Sequence, residues 1–185
     1  MEKDWRYIVE DSEAKILVVA TDAIYEKVKE YVGKVGKVET VIVFDAAADK
    51  PYSYKKLIAE GAKAAPTPTS DKITPDHIAK IMYTSGTTGK PKGVELSHIN
   101  ITSNIYGLKY VMGDKLRDHV SLAFLSWAHI FGMTVELHTL LSTGSALAIV
   151  SHRDLILESL GIVKPTTIYS VPTLFNRVST PLCLT

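Results

Sequence analysis

A single cysteine, Cys183, in 185 residues excludes an internal disulfide, which suits a reducing compartment and makes an intracellular protein, cytoplasmic or peripheral to a membrane, the expectation. The N-terminal residues Met1, Glu2, Lys3, Asp4 and Trp5 lack the basic-then-apolar order of a secretory signal. There is no excess of charge: 21 Lys and Arg stand against 20 Asp and Glu, a formal net charge of +1. That balance argues against the basic field on which non-specific nucleic-acid binding depends. Long apolar runs are missing too. Residues 119–152 carry one charged side chain, Glu136, but Ser121, Ser126, His129, His138, Ser142 and Thr143 interrupt the stretch before it reaches the roughly 18 apolar residues of a membrane span. No lipid-anchor or basic amphipathic signal adds to the case for a membrane, although peripheral contact with one stays open. Metal-ligand spacing is absent among His77, His98, His119 and His152, so a zinc site is not expected.

What is present is a globular chain. Apolar residues make up 46%, far more than disorder tolerates. Residues 1–80 hold 27 of the 41 charged side chains, so the two halves face different surroundings, and the weakly charged stretch reads as a covered strand-helix-strand unit. Strand-like runs at 15–20, 38–44, 78–83, 94–96, 120–125, 146–150 and 167–170 alternate with helical patterns at 22–32, 97–112, 131–141, 154–160 and 172–178. Ser97 is a good N-cap, although Asn100 stands where a capping box has Glu or Gln. Such alternation predicts an α/β protein, a layered sheet with parallel strands. The segment rich in Pro, Thr and Ala after residue 60 suggests three parts: an α/β segment at 1–60, a linker at 61–77 and a second α/β segment at 78–185.

The chemistry concentrates at residues 83–93, Tyr-Thr-Ser-Gly-Thr-Thr-Gly-Lys-Pro-Lys-Gly. Glycines let main-chain N–H groups turn inward into a concave anion site, hydroxyls donate to phosphate oxygens or ligate Mg²⁺, and lysine adds a compact positive charge. The expected ligand is a nucleotide polyphosphate. This is not a Walker A loop, because the Gly89-Lys90 pair is followed by Pro91 where a metal-binding hydroxyl should stand.

The segment resembles the phosphate loop of the adenylate-forming (AMP-binding) enzymes, the superfamily of acyl-CoA synthetases, luciferases and peptide-synthetase adenylation domains. Residues 94–100, Val-Glu-Leu-Ser-His-Ile-Asn, are similar to the strand-to-helix passage that follows that loop. Residues 124–132, Phe-Leu-Ser-Trp-Ala-His-Ile-Phe-Gly, resemble the stretch that brings a histidine and aromatics to the acyl and nucleotide pocket. Residues 164–175 resemble the strand and helix before the acyl-binding region. Trp127-Ala-His129 followed by Glu136-Leu-His138 looks most like long-chain fatty acyl-CoA synthetases.

The resemblance spans about residues 12–178 and implies the layered parallel-sheet portion of that superfamily's N-terminal domain. It also implies ATP and Mg²⁺, with coenzyme A and a long-chain fatty acid as the other substrates. Thr84 would be the hydroxyl nearest Mg²⁺. Ser85, Gly86, Thr87, Thr88, Gly89 and Lys92 would wrap the β and γ phosphates, and His129 would sit where carboxylate meets nucleotide. Met133 occupies the position of a gating tryptophan found in some long-chain members. The family's later carboxylate, ribose-aspartate and catalytic-lysine strings do not occur in these 185 residues, so the expected reading is a partial N-terminal domain without its C-terminal domain, inactive in isolation. Two other readings stay open: a non-enzymatic nucleotide-binding or interaction module, and an adenylating enzyme for another carboxylic acid. Glu136 and His138 read as structural, Lys55 and Lys56 as a solvated face, and Cys183 as an incidental thiol.

Overall fold

The structure, a computed structural model, describes residues 2–66, 70–85 and 89–172. Helices and two-stranded sheets alternate along the chain: helix α1 (Glu2–Asp11), strand β1 (Ile16–Val19), α2 (Asp22–Val28), β2 (Thr40–Val43), α3 (Tyr54–Gly61), β3 (Ile78–Thr84), β4 (Lys92–Ser97), α4 (His98–Met112), β5 (Val120–Ala123), α5 (Thr139–Ser142), β6 (Ala146–Ile149) and α6 (Ile156–Val163). Strand β1 pairs parallel with β2, β5 pairs parallel with β6, and β3 neighbours β4. The expected α/β architecture with parallel strands is what forms. The chain divides into two compact units, residues 1–74 with 83–95 and residues 75–82 with 96–185.

In the first unit, Ile16 lies opposite Thr40 and Val19 opposite Val43. Parallel neighbours need a crossover, and α2 supplies it. Its core gathers Val9 from α1, Val28 from α2, Val35 and Val38 from the connecting loop, and Val41 from β2, with Leu17, Val19, Tyr25 and Tyr31 packed around them. Strand β1 turns Leu17 and Val19 inward and leaves Ile16 and Val18 about half exposed, the period-2 alternation of a strand covered on one face. Helix α2 stops short of the expected residue 32: a 3-10 turn at Lys29–Tyr31 tightens its end, and Gly33, at φ +69°, donates its N–H to the Val38 carbonyl.

Helices α1 and α3 are additions to the expected pattern. Trp5, Ile8 and Val9 give α1 the i, i+3, i+4 spacing of an amphipathic helix. Six acidic or basic residues among its ten mask that stripe.

In the second unit, β5 and β6 pair with Val120 opposite Ala146 and Ala123 opposite Ile149, and α6 packs against β5. Leu122, Met133, Leu140 and Ile156 are buried there. The helix expected at 131–141 is a π-helical run, Gly132–His138, continuing into α5. Its wider turn lets Thr139 Oγ1 donate to the carbonyl of Thr134, five residues back, at 2.8 Å.

The strand expected at 167–170 reduces to one bridge, Ser121 with Thr167, because the Thr166 hydroxyl accepts the Val120 N–H at 3.0 Å and stands in for a strand carbonyl. Helix α6 follows a 3-10 turn at Arg153–Leu155 and ends at Lys164, whose left-handed backbone (φ +47°) precedes Pro165. The helix expected at 172–178 and Cys183 lie outside the described residues. No described helix is long and apolar enough to cross a membrane.

Candidate active-site segments

Strand β3 delivers the polar loop. It ends at Thr84, and Thr84 and Ser85 are exposed, their hydroxyls open to solvent. Gly86, Thr87 and Thr88 lie outside the described residues. Gly89 follows at φ +89°, a conformation that favours glycine, and its added Cβ would meet open space. Its place in the sequence is therefore explained by backbone rather than by crowding. Lys92 then opens β4, exposed.

Two side chains flank this stretch and both lead to α1. The Tyr83 hydroxyl donates to Asp11 Oδ2 at 2.7 Å. Lys90 Nζ stands 5.5 Å from the centroid of the Tyr7 ring, within reach of a cation–π attraction. Burial and then the Asp11 carboxylate push the Tyr83 phenol up to about 12, so it remains a neutral donor throughout the physiological range. Sequence reading missed this tether, since Asp11 is 72 residues from Tyr83.

The helix after the loop is well started. Ser97 Oγ accepts the Asn100 N–H at 3.4 Å, while Asn100 Oδ1 accepts the Ser97 N–H at 3.0 Å. Asn100 thereby closes the reciprocal box expected to need Glu or Gln.

His129 belongs to the second unit and is exposed. Its Nδ1 accepts the N–H of Phe131 at 3.3 Å, so the neutral tautomer carries its proton on Nε2. The segment holding it is fixed from two directions. Trp127 Nε1 donates to Glu136 Oε2 at 3.1 Å, tying the loop to the π-helical run. Gly132 lies so close beneath it that an added Cβ would sit 2.8 Å from the Ser126 carbonyl oxygen and 3.1 Å from Leu125 Cβ. Only a residue without a side chain fits there.

Glu136 is fully buried, and its second oxygen, Oε1, has no hydrogen-bond partner. Burial raises its carboxyl to about 6, with the Trp127 hydrogen bond pulling the other way. Burial also pushes the Tyr169 phenol up, and the Glu136 charge adds to it. His138 is lowered by burial and by the nearby Lys80 ammonium. The structural reading of Glu136 and His138 is what the packing supports. Met133 is 1% exposed, with Lys80 Nζ at its sulfur.

Among the described residues no three His, Cys, Asp or Glu side chains gather into a metal-holding group. Among the described loop residues, Thr84 and Ser85 carry hydroxyls, hard oxygen ligands of the kind Mg²⁺ takes when phosphate oxygens supply the remaining positions.

An α/β scaffold that places a hydroxyl-, glycine- and lysine-rich loop between two strands is the arrangement of adenylate-forming N-terminal domains. The chain belongs to the AMP-binding enzyme family, whose model matches residues 2–183. It is 30% identical to the long-chain-fatty-acid–CoA ligase FadD15 of Mycobacterium tuberculosis over 180 residues, 94% of this chain and 29% of that protein. Among solved structures, it resembles a long-chain-fatty-acid–CoA ligase (FadD1) from Archaeoglobus fulgidus, with TM-score 0.75, 26% identity and coverage of 100% of this chain and 35% of that one. ATP-bound MatB from Rhodopseudomonas palustris gives a TM-score of 0.74 at 27% identity, covering 96% and 33% of the two chains. The chain thus spans about a third or less of the length of these relatives.

Proposed function

We propose that this chain is part of the N-terminal domain of an ATP-dependent long-chain fatty acid–CoA ligase, with 1–60 and 78–185 as its α/β segments and 61–77 as the linker. The observation that carries the reading is the loop itself: Thr84, Ser85, Gly89 and Lys92 stand exposed between two strands of a family-matched fold. Gly86, Thr87 and Thr88 complete the proposed phosphate cup in sequence. The fatty substrate is inferred from the relatives' names.

Acid activation requires a carboxylate oxygen to attack the α-phosphorus of ATP while the bond to pyrophosphate breaks, giving acyl-AMP. Coenzyme A thiol then displaces AMP to form the thioester. Two anions approach one another in the first half, and negative charge collects on the departing pyrophosphate. Fixed donors aimed at that charge lower the barrier. Thr84, Ser85 and Lys92 would supply hydroxyl donors and a positive charge on the leaving-group side. Mg²⁺, when bound through the phosphates and Thr84, would neutralise part of the triphosphate charge.

His129, exposed and with Nδ1 held by the Phe131 N–H, is the proposed residue at the meeting point of carboxylate and nucleotide. An intracellular location, in the cytoplasm or at a membrane surface, accompanies this reading and rests on the cysteine-poor composition.

The test is pyrophosphate exchange into ATP by the protein that contains this chain, with palmitate, benzoate and a panel of amino acids as the acid. Exchange stimulated by palmitate alone supports the proposal. Stimulation by an aromatic or amino acid instead replaces the substrate class, and ATP binding without exchange points to a nucleotide-binding module.

A further inference from the structure

We propose that α1 is a clamp that positions the phosphate loop, with Asp11 and Tyr7 as positioning residues acting through Tyr83 and Lys90; the functional half of this inference rests on the nucleotide reading above. The loop is bracketed by two anchors. Tyr83, at its entry, hydrogen-bonds Asp11 Oδ2 at 2.7 Å, and Lys90, at its exit, lies over the Tyr7 ring at 5.5 Å. The two anchor points are coupled, because the Tyr7 hydroxyl donates to the other oxygen of the same carboxylate, Asp11 Oδ1, at 3.5 Å. Tyr7 and Asp11 are four residues apart on α1 and so share one face. That helix is itself seated in the core through Val9.

The geometry separates the two lysines of the loop. Lys90 is engaged with an aromatic face and serves as the exit anchor, whereas Lys92 is the exposed cation available to phosphate. The clamp has a clear physical use. Affinity for a ligand falls in proportion to the fraction of molecules in the competent conformation. Holding Tyr83 and Lys90 to one helix fixes the described flanks of the loop before any nucleotide arrives, which is the preorganisation that charge stabilisation requires.

The test uses the full protein with Tyr83→Phe, Asp11→Ala, the double variant and Asp11→Asn, the last keeping an acceptor for Tyr83. Amide hydrogen exchange over 84–92 is followed without nucleotide, with the β5–β6 peptides as a folding control. The KM values for ATP and for the acid come from pyrophosphate exchange. Tyr83→Phe and Asp11→Ala should each speed loop exchange and raise the KM for ATP by about tenfold, as loss of one charge-assisted hydrogen bond implies. The KM for the acid should stay put, the double variant should be no worse than either single, and Asp11→Asn should recover most of the loss. Unchanged loop exchange in Tyr83→Phe with β5–β6 protection intact, or additive effects in the double variant, overturns the clamp. Loop loosening in the variants, with no pyrophosphate exchange by the wild type, upholds the mechanical clamp and overturns its role in nucleotide activation.

Discussion

Glu136 sets a measurable pH dependence. Its carboxyl lies at about 6 instead of 4.5 because burial disfavours the charged form. The folded-state value is raised above the unfolded one, so the stabilising contribution is complete below about pH 4.5 and is lost as pH rises through 6. The difference between 4.5 and about 6 corresponds to roughly 2 kcal/mol between those limits. Replacing Glu136 with Gln removes the ionisation and keeps an oxygen to accept from Trp127, at the cost of an amide donor without a partner, worth about 1 kcal/mol. The Gln variant should therefore be up to about 1 kcal/mol more stable than wild type at pH 8 and about 1 kcal/mol less stable at pH 4.5. Urea unfolding at the two pH values measures this. The Trp5→Phe background removes the other indole of these 185 residues, leaving Trp127, the indole bonded to Glu136, as their fluorescent reporter. Parallel pH dependence in wild type and the Gln variant would refute the assignment of a buried, proton-seeking carboxylate.

Two further outcomes follow from packing and capping. Gly132→Ala should cost about 1–3 kcal/mol, because the new methyl would crowd the Ser126 carbonyl at 2.8 Å and force the backbone apart; denaturant unfolding reads the loss, and changed Trp127 emission in the native state would show that the His129 segment has moved. Asn100→Ala should destabilise α4 by about 1 kcal/mol through loss of the reciprocal cap, whereas Asn100→Glu, which can restore the reaching side chain, should cost little by the same measurement.

The parts of the fold that the sequence made legible are those where local pattern and packing agree. Residues 15–20 and 38–44 are β-branched apolar runs between turn signals, and they pair as β1 and β2. Where tertiary groups intervene, pattern alone was insufficient. Thr166 uses its hydroxyl to take a strand N–H, so only Thr167 bridges where four strand residues were expected. The apolar stripe of α1 is three residues long and buried in charge, which hid the helix. Asn100 was expected to leave the capping box incomplete because residue type was taken as the signal, but its shorter side chain still reaches the Ser97 N–H.

The candidate site divides in the same way. The residues of the proposed phosphate loop stand out in the sequence because glycine, hydroxyl and lysine each have a use at an anion that depends on chemistry rather than on distant neighbours. Asp11 and Tyr7 were not legible, since nothing local connects an N-terminal helix to residue 83. Gly132 was quoted within a motif, yet the reason for it, a backbone carbonyl 2.8 Å from where Cβ would be, exists only in three dimensions. Glu136 offered one hint: it is the sole charge in 34 residues, 119–152, and a lone charge in an apolar stretch tends to be a buried, bonded one.

The account stands or falls on whether residues 84–92 grip a triphosphate. Calorimetric titration of ATP with Mg²⁺ into the protein that contains this chain, comparing wild type with Lys92→Met and with Lys55→Met as a control on an exposed face, asks this directly. Lys92→Met should weaken binding at least about tenfold, the loss of one charge-assisted hydrogen bond, while Lys55→Met binds as wild type. Equal affinity in wild type and Lys92→Met would contradict the assignment of the loop as the phosphate site.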